Sequence, residues 1–424
     1  MADMLIKPAK LGGTVTVPAS KSDCHRAIIC AALSMGVCRI SPITLSKDIK
    51  ATIACINALG AKTDLKGDEL TIDSSHLFAN STAELNCCES GSTLRFFIPV
   101  ASALGMTATF TGEGRLPVRP IGIYLDTLPK NGVKCVTEGG LPLTVSGQLK
   151  SGTFEVPGNV SSQFVTGLLL ALPLLSGDSK IVLTSPMESI GYINMTIDTM
   201  HRFGVEVETT DYGYFIKGNQ RYTPQDYTVQ GDWSQAAFFM VAGAVGGEIT
   251  VNGVSQSSTQ GDKEICSLMK KFGTDIAIDK NSVTVKKSPL YGIDIDASQI
   301  PDLVPVLAVC ASGANGTTKI YNAERLRIKE SDRLKTTANL INSLGGTVIE
   351  TEDGLIIEGK GNHLEGGTVE GSNDHRIVMA GAVASIICSK NVTVTDSQAV
   401  NKSYPDFFKD FNNLGGNASG IINR

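Results

Sequence analysis

The sequence places cations where a helix is expected to begin. In PASKSDCHR (residues 18–26), Ser20 or Ser22 is suited to cap a helix, yet Lys21 and Arg26 stand in its first turns. A helix N-terminus carries about half a positive charge, so each cation there costs about 0.3–1 kcal/mol unless an anion lies nearby. The pattern therefore predicts an anionic ligand at this helix end.

Turns of the same kind recur later in the chain, each followed by an apolar segment that is expected to be helical. Parallel helices that begin in one place form an anion site, because their N–H groups and dipoles point at the same ligand. The residues that offer a backbone N–H, a hydroxyl, an amide or a cation at these turns are Lys21, Ser22, Arg26, Gly91, Ser92, Ser161, Ser162, Gln163, His375 and Arg376.

Further basic residues occupy related positions before the other predicted helices. Arg119 stands just before Pro120, and a proline is suited to the first position of a helix. Lys329 and Arg333 are four residues apart, so they are predicted to share one helix face. Lys402 precedes the last predicted helix. Because these cations recur at one phase of a repeat, we predict that they belong to the anion site rather than to a solvated surface.

Two carboxylates fall in the same zone. Asp302 follows Ile300-Pro301 at the start of a predicted inner helix, and Glu330 adjoins Lys329. Either could simply be an acid that favours a helix start. Among so many cations they are also candidates for proton transfer, with pKa values that depend on their neighbours.

The elements that must position these residues repeat six times along the chain. A helix end, a glycine and a short hairpin recur at spacings of 69–72 residues. Each glycine is suited to the left-handed conformation that ends a helix. The six glycines are Gly60, Gly132, Gly204, Gly273, Gly345 and Gly415.

The polar turns recur in step with the glycines, about every 70 residues. Each repeat therefore predicts a strand, an inner helix of small and apolar residues, a strand, an amphipathic outer helix and two strands. In the last two strands, apolar and polar residues alternate, as in TVIETEDGLIIEG (residues 347–359). We predict an α/β fold of six such units, closed as two groups of three because the repeat is too long for the common solenoids.

Bulk properties exclude several classes of protein. The chain has 424 residues, of which 42% are hydrophobic, and a net charge of −5. This charge does not favour binding of the whole protein to nucleic acid or to a membrane.

Its ten cysteines show no metal-binding spacing and predict free, buried thiols in a reducing compartment. The first ten residues lack the apolar core of a signal peptide, and we expect a cytoplasmic protein. Motifs for nucleotide hydrolysis, nicotinamide binding, zinc hydrolases and serine hydrolases are absent from the sequence.

The chain resembles the enolpyruvyl transferase family over essentially its whole length. Nine segments in the right order carry the resemblance, and the K-S-D-C-H-R string favours the branch that acts on shikimate 3-phosphate. They are PASKSDCHRA, ESGSTLRFF, GEGRLPVRPI, GNVSSQFVTGLL, ESIGYINMT, IPDLVPVLAV, RLRIKESDRL, NDHRIVMAGA and NKSYPDFF.

The resemblance implies an inside-out α/β barrel of two domains that close over substrate. The expected boundaries are 18–228 for one domain and 1–17 with 229–424 for the other, with the active site in the cleft between them. The implied reaction transfers the enolpyruvyl group of phosphoenolpyruvate to the 5-hydroxyl of shikimate 3-phosphate and releases phosphate, on the route to chorismate and the aromatic amino acids. It needs no metal or organic cofactor. We expect a monomer whose partners are these two small molecules.

The resemblance also implies a role for each matching residue. The expected catalytic residues are Asp302 as base at the 5-hydroxyl, Glu330 as proton shuttle at C3, and Lys21, which bridges both substrates. Shikimate 3-phosphate is expected at Lys21, Ser22, Arg26, Ser161, Ser162, Gln163, Ser189, Asp302 and Lys329. Phosphoenolpyruvate is expected at Lys21, Gly91, Arg119, Gln163, Arg333, Arg376 and Lys402. Ser189 is matched in preference to Ser185, in a segment whose length varies among relatives.

Two alternatives remain open at the level of sequence. A sister enzyme of the same family acts on UDP-N-acetylglucosamine, but its loop cysteine is expected near residues 112–118, where TGEGRLPV has none. The second alternative is a non-catalytic anion-binding protein on the same scaffold. The retention of Asp302 and Glu330 argues against this alternative. Phosphate release that requires both substrates separates the three interpretations.

Overall fold

The computed structural model describes residues 3–77 and 81–421. The chain forms two compact units. The first, here called the N-terminal unit, contains residues 19–229. The second, here called the C-terminal unit, contains residues 1–18 and 230–424. Each unit carries its own apolar core.

The N-terminal unit contains three four-stranded sheets with two α-helices for each sheet. The first set is β3 (Val37–Ser41), β4 (Lys62–Lys66), β5 (Glu69–Asp73) and β14 (Tyr227–Thr228) with α1 (Lys21–Leu33) and α2 (Lys47–Ala58). The second is β6 (Thr82–Asn86), β7 (Thr107–Thr111), β8 (Lys134–Val136) and β9 (Leu143–Ser146) with α3 (Gly91–Ala103) and α4 (Gly122–Thr127). The third is β10 (Thr153–Val156), β11 (Ser179–Leu183), β12 (Glu208–Thr210) and β13 (Gly213–Ile216) with α5 (Ser162–Ala171) and α6 (Ile190–Arg202).

The C-terminal unit repeats this plan three times. The first set is β2 (Gly12–Thr16), β15 (Glu248–Asn252), β16 (Asp275–Ile278) and β17 (Ser282–Lys286) with α7 (Trp233–Gly246) and α8 (Ile265–Phe272). The second is β18 (Asp294–Asp296), β19 (Asn315–Tyr321), β20 (Thr347–Glu350) and β21 (Leu355–Lys360) with α9 (Val304–Ser312) and α10 (Arg333–Ser343). The third is β1 (Asp3–Lys7), β22 (Gly367–Val369), β23 (Val392–Val394) and β24 (Asn417–Ile421) with α11 (His375–Ala384) and α12 (Phe407–Asn413).

The predicted six-fold repeat is confirmed, including the glycine predicted near the end of a helix in each repeat. All six repeat glycines have φ between 80° and 107°, the left-handed region in which a residue without a Cβ ends a helix at little cost. The predicted hairpin of residues 347–359 is the antiparallel pair β20 and β21. Local chain chemistry therefore decided where each repeat turns.

Two strands belong to sheets that the repeat alone does not indicate. The strand that precedes α1 is β2, but β2 pairs in parallel with β15 in the C-terminal unit. The strand that precedes α7 is β14, and it pairs in parallel with β3 in the N-terminal unit. The chain therefore passes from one unit to the other twice, after β2 and after β14.

The inner helices are buried because small residues let them approach closely. Every residue of α7 and of α9 is buried. In α5, a Cβ added to Gly167 would collide with the carbonyl oxygen of Arg95 in α3 and with the Tyr124 hydroxyl. That hydroxyl lies 2.7 Å from Arg95 O and 2.9 Å from Phe164 O, and so joins α3, α4 and α5. Close packing fixes the starts of these helices relative to one another within the unit.

Two local predictions were wrong. Pro120 does not open α4, which begins at Gly122; Arg119 is extended (φ −73°, ψ 144°), as a residue before proline tends to be. Lys329 and Arg333 do not share a helix face. Lys329 is extended after a 3₁₀ helix, whereas Arg333 is the first residue of α10, because Asp332 caps that helix by accepting a hydrogen bond from Lys335 N at 3.2 Å.

The ten cysteines are free thiols, eight buried and two half-buried, in line with the prediction. Burial raises the pKa of Cys24, Cys30 and Cys310. Among the described residues, no helix is long and apolar enough to cross a membrane.

Candidate active site

The start of α1 pairs its cation with a carboxylate of the same unit. Ser20 is the N-cap and accepts a hydrogen bond from Asp23 N at 3.4 Å. Lys21 Nζ lies 2.7 Å from Asp48 Oδ2 in the first turn of α2. Asp48 thus gives Lys21 a negative partner within the unit, and its own position at a helix start is favourable.

Arg26 connects three helices from a nearly fully buried position. Its Nε donates to Thr196 Oγ1 at 2.8 Å and its Nη2 to Tyr192 O at 3.0 Å, both in α6. A weaker contact of 3.4 Å joins Nη2 to Thr166 Oγ1 in α5, and Nη1 donates to Ser22 O at 2.6 Å. Burial lowers the pKa of Arg26 to about 10, so the group keeps its charge at neutral pH.

Gly91, the first residue of α3, lies beside two arginines. A Cβ at this position would lie 2.8 Å from Arg119 Nη1 and 2.9 Å from Arg95 Nη1. Arg95 Nη1 donates to Gln163 Oε1 at 2.7 Å, and Gln163 Nε2 donates to Ser92 Oγ at 3.0 Å. Gly91, Arg95, Arg119 and Gln163 together are called the Gly91 cluster below. It brings backbone N–H groups at a helix start together with two cations, which suits a phosphate.

The predicted serines mark the starts of α5 and α6. Ser161 is the N-cap of α5 and accepts from Gln163 N at 3.3 Å, and the next residue, Ser162, is buried. Ser189 precedes α6 in a left-handed conformation (φ 53°), a strained position for a residue with a side chain. Ser185, the other candidate, has a local role, since its hydroxyl accepts from Gly158 N at 2.9 Å.

In the C-terminal unit, five charged residues form one network, here called the arginine–carboxylate cluster: Asp302, Glu330, Arg333, Asp374 and Arg376. Arg333 Nη1 lies 2.8 Å from Asp302 Oδ1, Nη2 lies 2.6 Å from Glu330 Oε2, and Nε lies 2.7 Å from Asp374 Oδ2. Arg376 Nη2 lies 3.0 Å from Asp302 Oδ2. Asp302 therefore bridges two guanidinium groups, and Arg333 holds three carboxylates.

Asp374 orients this network from the N-terminus of α11. It is fully buried, it is the N-cap of α11, and it accepts from Arg376 N at 3.0 Å and from Ser331 Oγ at 2.9 Å. Its two bonds to Arg333, at 2.7 and 3.2 Å, are of the bidentate kind. The planar fork of Arg333 is thereby fixed in one orientation.

The electrostatics of the cluster keep its central carboxylate ionised. Burial raises the pKa of Asp302, but Arg376, Lys329 and Arg333 outweigh it and hold that pKa well below the usual range. Burial lowers the pKa of Lys329 to about 8, against the opposing influence of Asp302. Lys329 is therefore close to its titration point at neutral to mildly alkaline pH.

Lys402 contacts the turn that precedes α11. It is 3% exposed, and its Nζ donates to Asn373 O at 2.6 Å, one residue before the cap of α11. Within each unit, the structure thus brings predicted site residues together: Gly91, Arg119 and Gln163 in the N-terminal unit, and Asp302, Lys329, Glu330, Arg333, Arg376 and Lys402 in the C-terminal unit.

Comparison with known proteins identifies the family to which this arrangement belongs. Residues 5–411 match the model of the family described as EPSP synthase (3-phosphoshikimate 1-carboxyvinyltransferase). A relative in Clostridium novyi (strain NT), named 3-phosphoshikimate 1-carboxyvinyltransferase, is 49% identical and covers 98% of both chains. The chain belongs to the EPSP synthase family. It is accordingly a transferase.

A further relative and two solved structures agree with this assignment in sequence and in fold. A protein of the same name in Clostridioides difficile (strain 630) is 44% identical over 98% of both chains. EPSP synthase from Acinetobacter baumannii has a TM-score of 0.85 at 26% identity, covering 99% of this chain and 100% of that one. The enolpyruvyl transferase NikO from Streptomyces tendae has a TM-score of 0.81 at 18% identity, which shows the shared fold. That fold is the predicted inside-out α/β barrel.

Sequence reasoning missed three residues that pair with predicted site residues: Asp48, Arg95 and Asp374. Arg95 and Asp374 lie inside two of the recurring polar turns, ESGSTLR and GSNDHRIV. The recurrence of these turns could therefore have indicated both residues, but it does not show which side chains they contact. Asp48 was recognisable only as an acid near the start of a predicted helix. Among residues 3–77 and 81–421, no three His, Cys, Asp or Glu side chains are arranged to hold a metal ion.

Proposed function

We propose that this member of the EPSP synthase family transfers the enolpyruvyl group of phosphoenolpyruvate to the 5-hydroxyl of shikimate 3-phosphate, with release of phosphate. The observation that carries the proposal is the position of Asp302 between Arg333 and Arg376, in a chain whose relatives bear the name of this reaction. In this arrangement, a carboxylate that can accept a proton lies beside two guanidinium groups that can hold an anion. Proton transfer and anion binding then act on the same part of the substrate.

The two arginines of the cluster are proposed to grip the carboxylate of phosphoenolpyruvate. Arg376 contributes a guanidinium whose Nη2 now contacts Asp302, and a substrate carboxylate of the same charge competes for that contact. Arg333 is more tightly held, by Asp374 and Glu330. We infer that Arg376 is the arginine that adjusts to the substrate and that Arg333 supplies a fixed positive charge.

This competition supports the proposed role of Asp302 as base. The arginines and Lys329 hold its pKa low, so in the present arrangement it is ionised but weakly basic. A substrate carboxylate at Arg376 withdraws part of that stabilisation and makes Asp302 more basic. Binding of phosphoenolpyruvate thereby prepares the carboxylate that takes the proton from the attacking 5-hydroxyl. Glu330, which contacts Arg333 Nη2, is proposed to deliver the proton to C3.

The other predicted roles are proposed mainly for residues of the N-terminal unit, with Lys329 and Lys402 from the C-terminal unit. Gly91, Arg119 and Gln163 form the Gly91 cluster, which suits the phosphate of phosphoenolpyruvate, with Lys402 as a further cation. Shikimate 3-phosphate is assigned to the helix starts, with Lys329 beside it and Lys21 bridging both substrates. The residues assigned to it at those starts are Ser22, Arg26, Ser161, Ser162 and Ser189.

We further propose that the two units supply the two halves of one site in the cleft between domains of residues 18–228 and of residues 1–17 with 229–424, which closes over the substrates. Closure would gather anions that repel one another, and holding them together is itself a large part of the catalysis. A monomeric, cytoplasmic enzyme without a metal or organic cofactor remains the expectation.

The proposal is tested by measuring phosphate release from phosphoenolpyruvate with and without shikimate 3-phosphate. Release that needs both compounds is expected. Release with UDP-N-acetylglucosamine in place of shikimate 3-phosphate would instead assign the chain to the sister activity. Tight binding of both compounds without release would indicate a non-catalytic anion-binding protein.

A further inference from the structure

Asp262 is a buried carboxyl group that none of the proposed roles uses. It lies in the 3₁₀ helix Gly261–Glu264 and is 2% exposed. One oxygen, Oδ2, accepts a hydrogen bond from Ser234 Oγ in α7. The other, Oδ1, is buried and has no hydrogen-bond partner among the residues that the structure describes. An ionised carboxylate with such an oxygen is costly, and protonation removes most of that cost.

The charged groups that influence the pKa of Asp262 come from three other elements. Asp302 and Arg376 belong to the arginine–carboxylate cluster, and Asp232 caps α7 by accepting from Gln235 N at 3.2 Å. Burial raises the pKa of Asp262 to about 7, Asp302 and Asp232 add to this rise, and Arg376 and Ser234 oppose it. Asp262 is therefore a carboxyl group that can gain or lose its proton near neutral pH.

The neighbours of Asp262 on its own 3₁₀ helix are turned to other partners. Lys263 Nζ donates to Gln256 O at 2.8 Å and to Ser258 O at 3.0 Å, in the preceding loop. Glu264 is exposed. The cation that acts on the pKa of Asp262 is Arg376, the same guanidinium that we assign to the carboxylate of phosphoenolpyruvate.

We propose that Asp262 is a positioning residue of the phosphoenolpyruvate site, which takes up one proton as an anionic carboxylate binds at Arg376. This inference rests on the proposed function. The proton comes from solvent, the Oδ1–H bond forms, and no other bond changes. A neutral Asp262 leaves the charge of Arg376 to the ligand and to Asp302, whereas an ionised Asp262 competes with the ligand for it.

The proposal is tested by the pH dependence of kcat/KM for phosphoenolpyruvate, at saturating shikimate 3-phosphate. In the wild type we expect a fall that begins near pH 7 and approaches about tenfold per pH unit, the slope of a single titrating group. Asp262→Asn should lose this fall, because the amide does not ionise. Ser234→Ala removes the hydrogen bond that opposes protonation, so the fall should move to higher pH. Glu264→Gln, on the same 3₁₀ helix, is the matched control and should keep the wild-type profile.

Two other groups titrate in the same pH range, Lys329 and the phosphate of the substrate. Lys329 also titrates near pH 8, but it is unchanged in every variant and shikimate 3-phosphate is saturating, so its effect cancels in the comparison. The phosphate of the substrate titrates near pH 6 in every variant, so its effect cancels in the comparison. Ser234→Ala retains the carboxyl group and carries the test if Asp262→Asn does not fold.

A second measurement does not need turnover. Calorimetric titration of phosphoenolpyruvate at pH 7.5, in two buffers of different ionisation enthalpy, should show proton uptake by the wild type and less uptake by Asp262→Asn. Equal uptake in both, or an alkaline fall that neither Asp262→Asn nor Ser234→Ala moves, would overturn the role of Asp262. A wild type that releases no phosphate with both substrates would overturn the proposed function instead, and the calorimetry would still report on Asp262.

Discussion

Asp302 and Arg333 form an ion pair of 2.8 Å between Oδ1 and Nη1, in which the arginine side chain is 2% exposed. The second oxygen of the same carboxylate contacts Arg376 at 3.0 Å. The candidate base of the reaction is therefore held by the groups that are proposed to bind one of its substrates. Chemistry and binding are coupled through this carboxylate, and variants of it should separate the two.

Replacing Asp302 by Asn should lower kcat far more than it weakens binding. The amide cannot take the proton of the 5-hydroxyl, so we expect a loss of about 10²–10⁴-fold in kcat. It also removes a negative competitor for Arg376, so KM for phosphoenolpyruvate should stay the same or fall. Steady-state kinetics with both substrates varied check this split.

The control for this variant is Asp294→Asn in β18, an exposed carboxylate a few residues earlier in the chain. It should leave both constants unchanged. If kcat and the affinity for phosphoenolpyruvate dropped by the same factor in Asp302→Asn, Asp302 would be a binding residue rather than a base.

Replacing Gly91 by Ala should impair phosphoenolpyruvate selectively. The new methyl group meets Arg119 Nη1 at 2.8 Å and Arg95 Nη1 at 2.9 Å, so both guanidinium groups must shift. A displaced charge-assisted hydrogen bond is worth about 1.5–3 kcal/mol, which corresponds to a rise in KM of roughly ten- to a hundredfold. The affinity for shikimate 3-phosphate, measured by fluorescence or calorimetry, should change little.

Gly122→Ala provides a close match, because Gly122 is also the first residue of its helix and a Cβ there meets nothing within 4 Å. That variant should keep the wild-type KM. A KM for phosphoenolpyruvate that is equal in the two alanine variants would contradict the steric argument.

Replacing Arg26 by Ala should destabilise the protein as well as weaken the binding of shikimate 3-phosphate. The change removes a donor from the buried Thr196 Oγ1 and from the partly buried Tyr192 O and Ser22 O, and of these Tyr192 O still accepts from Thr196 Oγ1 at 2.8 Å. We expect the free energy of unfolding to fall by about 2–4 kcal/mol. Thermal and urea unfolding, followed by circular dichroism, measure the effect.

Arg39→Ala is the control for this loss, since the Arg39 side chain is 59% exposed and its ion pair with Asp226 spans 3.5 Å. Its effect should stay within about 0.5 kcal/mol. An Arg26→Ala protein as stable as Arg39→Ala would show that the hydrogen bonds of Arg26 are replaceable by water.

The affinity for shikimate 3-phosphate should fall as the pH rises through about 8. Burial lowers the pKa of Lys329 to about 8, so its ammonium group is charged below this pH and neutral above it. The substrate phosphate, with a pKa near 6, keeps its charge across this range. Titration calorimetry between pH 6.5 and 9.5 should show a decline of about tenfold, the value of one charge-assisted hydrogen bond.

The matched variant for this pH dependence is Lys329→Arg, which keeps its charge throughout the range. Its affinity for shikimate 3-phosphate should be flat with pH. An alkaline decline of the same size in Lys329→Arg and in the wild type would place the titrating group elsewhere.

Much of the architecture was predictable because it depends on neighbours in the chain. The repeat glycines end helices through their own φ angles, and Ser20, Ser161 and Asp374 start helices through bonds that span two or three residues. Errors arose where two local signals competed. Pro120 pointed to a helix start that the structure places at Gly122, and the four-residue spacing of Lys329 and Arg333 spans a cap rather than a helical turn.

The sequence by itself determined the six repeats, the glycines that end their helices, and most of the helix starts with the cations placed there, since each follows from short-range backbone chemistry. Only the tertiary structure decided which carboxylate meets which cation. Lys21 and Asp48 are 27 residues apart, Arg333 and Asp302 are 31 apart, and Arg333 and Asp374 are 41 apart. Such pairs exist because close-packed helices bring distant turns together, and no local pattern encodes that distance. The sheet membership of β2 and β14 was decided in the same way, by pairing between strands that are far apart in the chain.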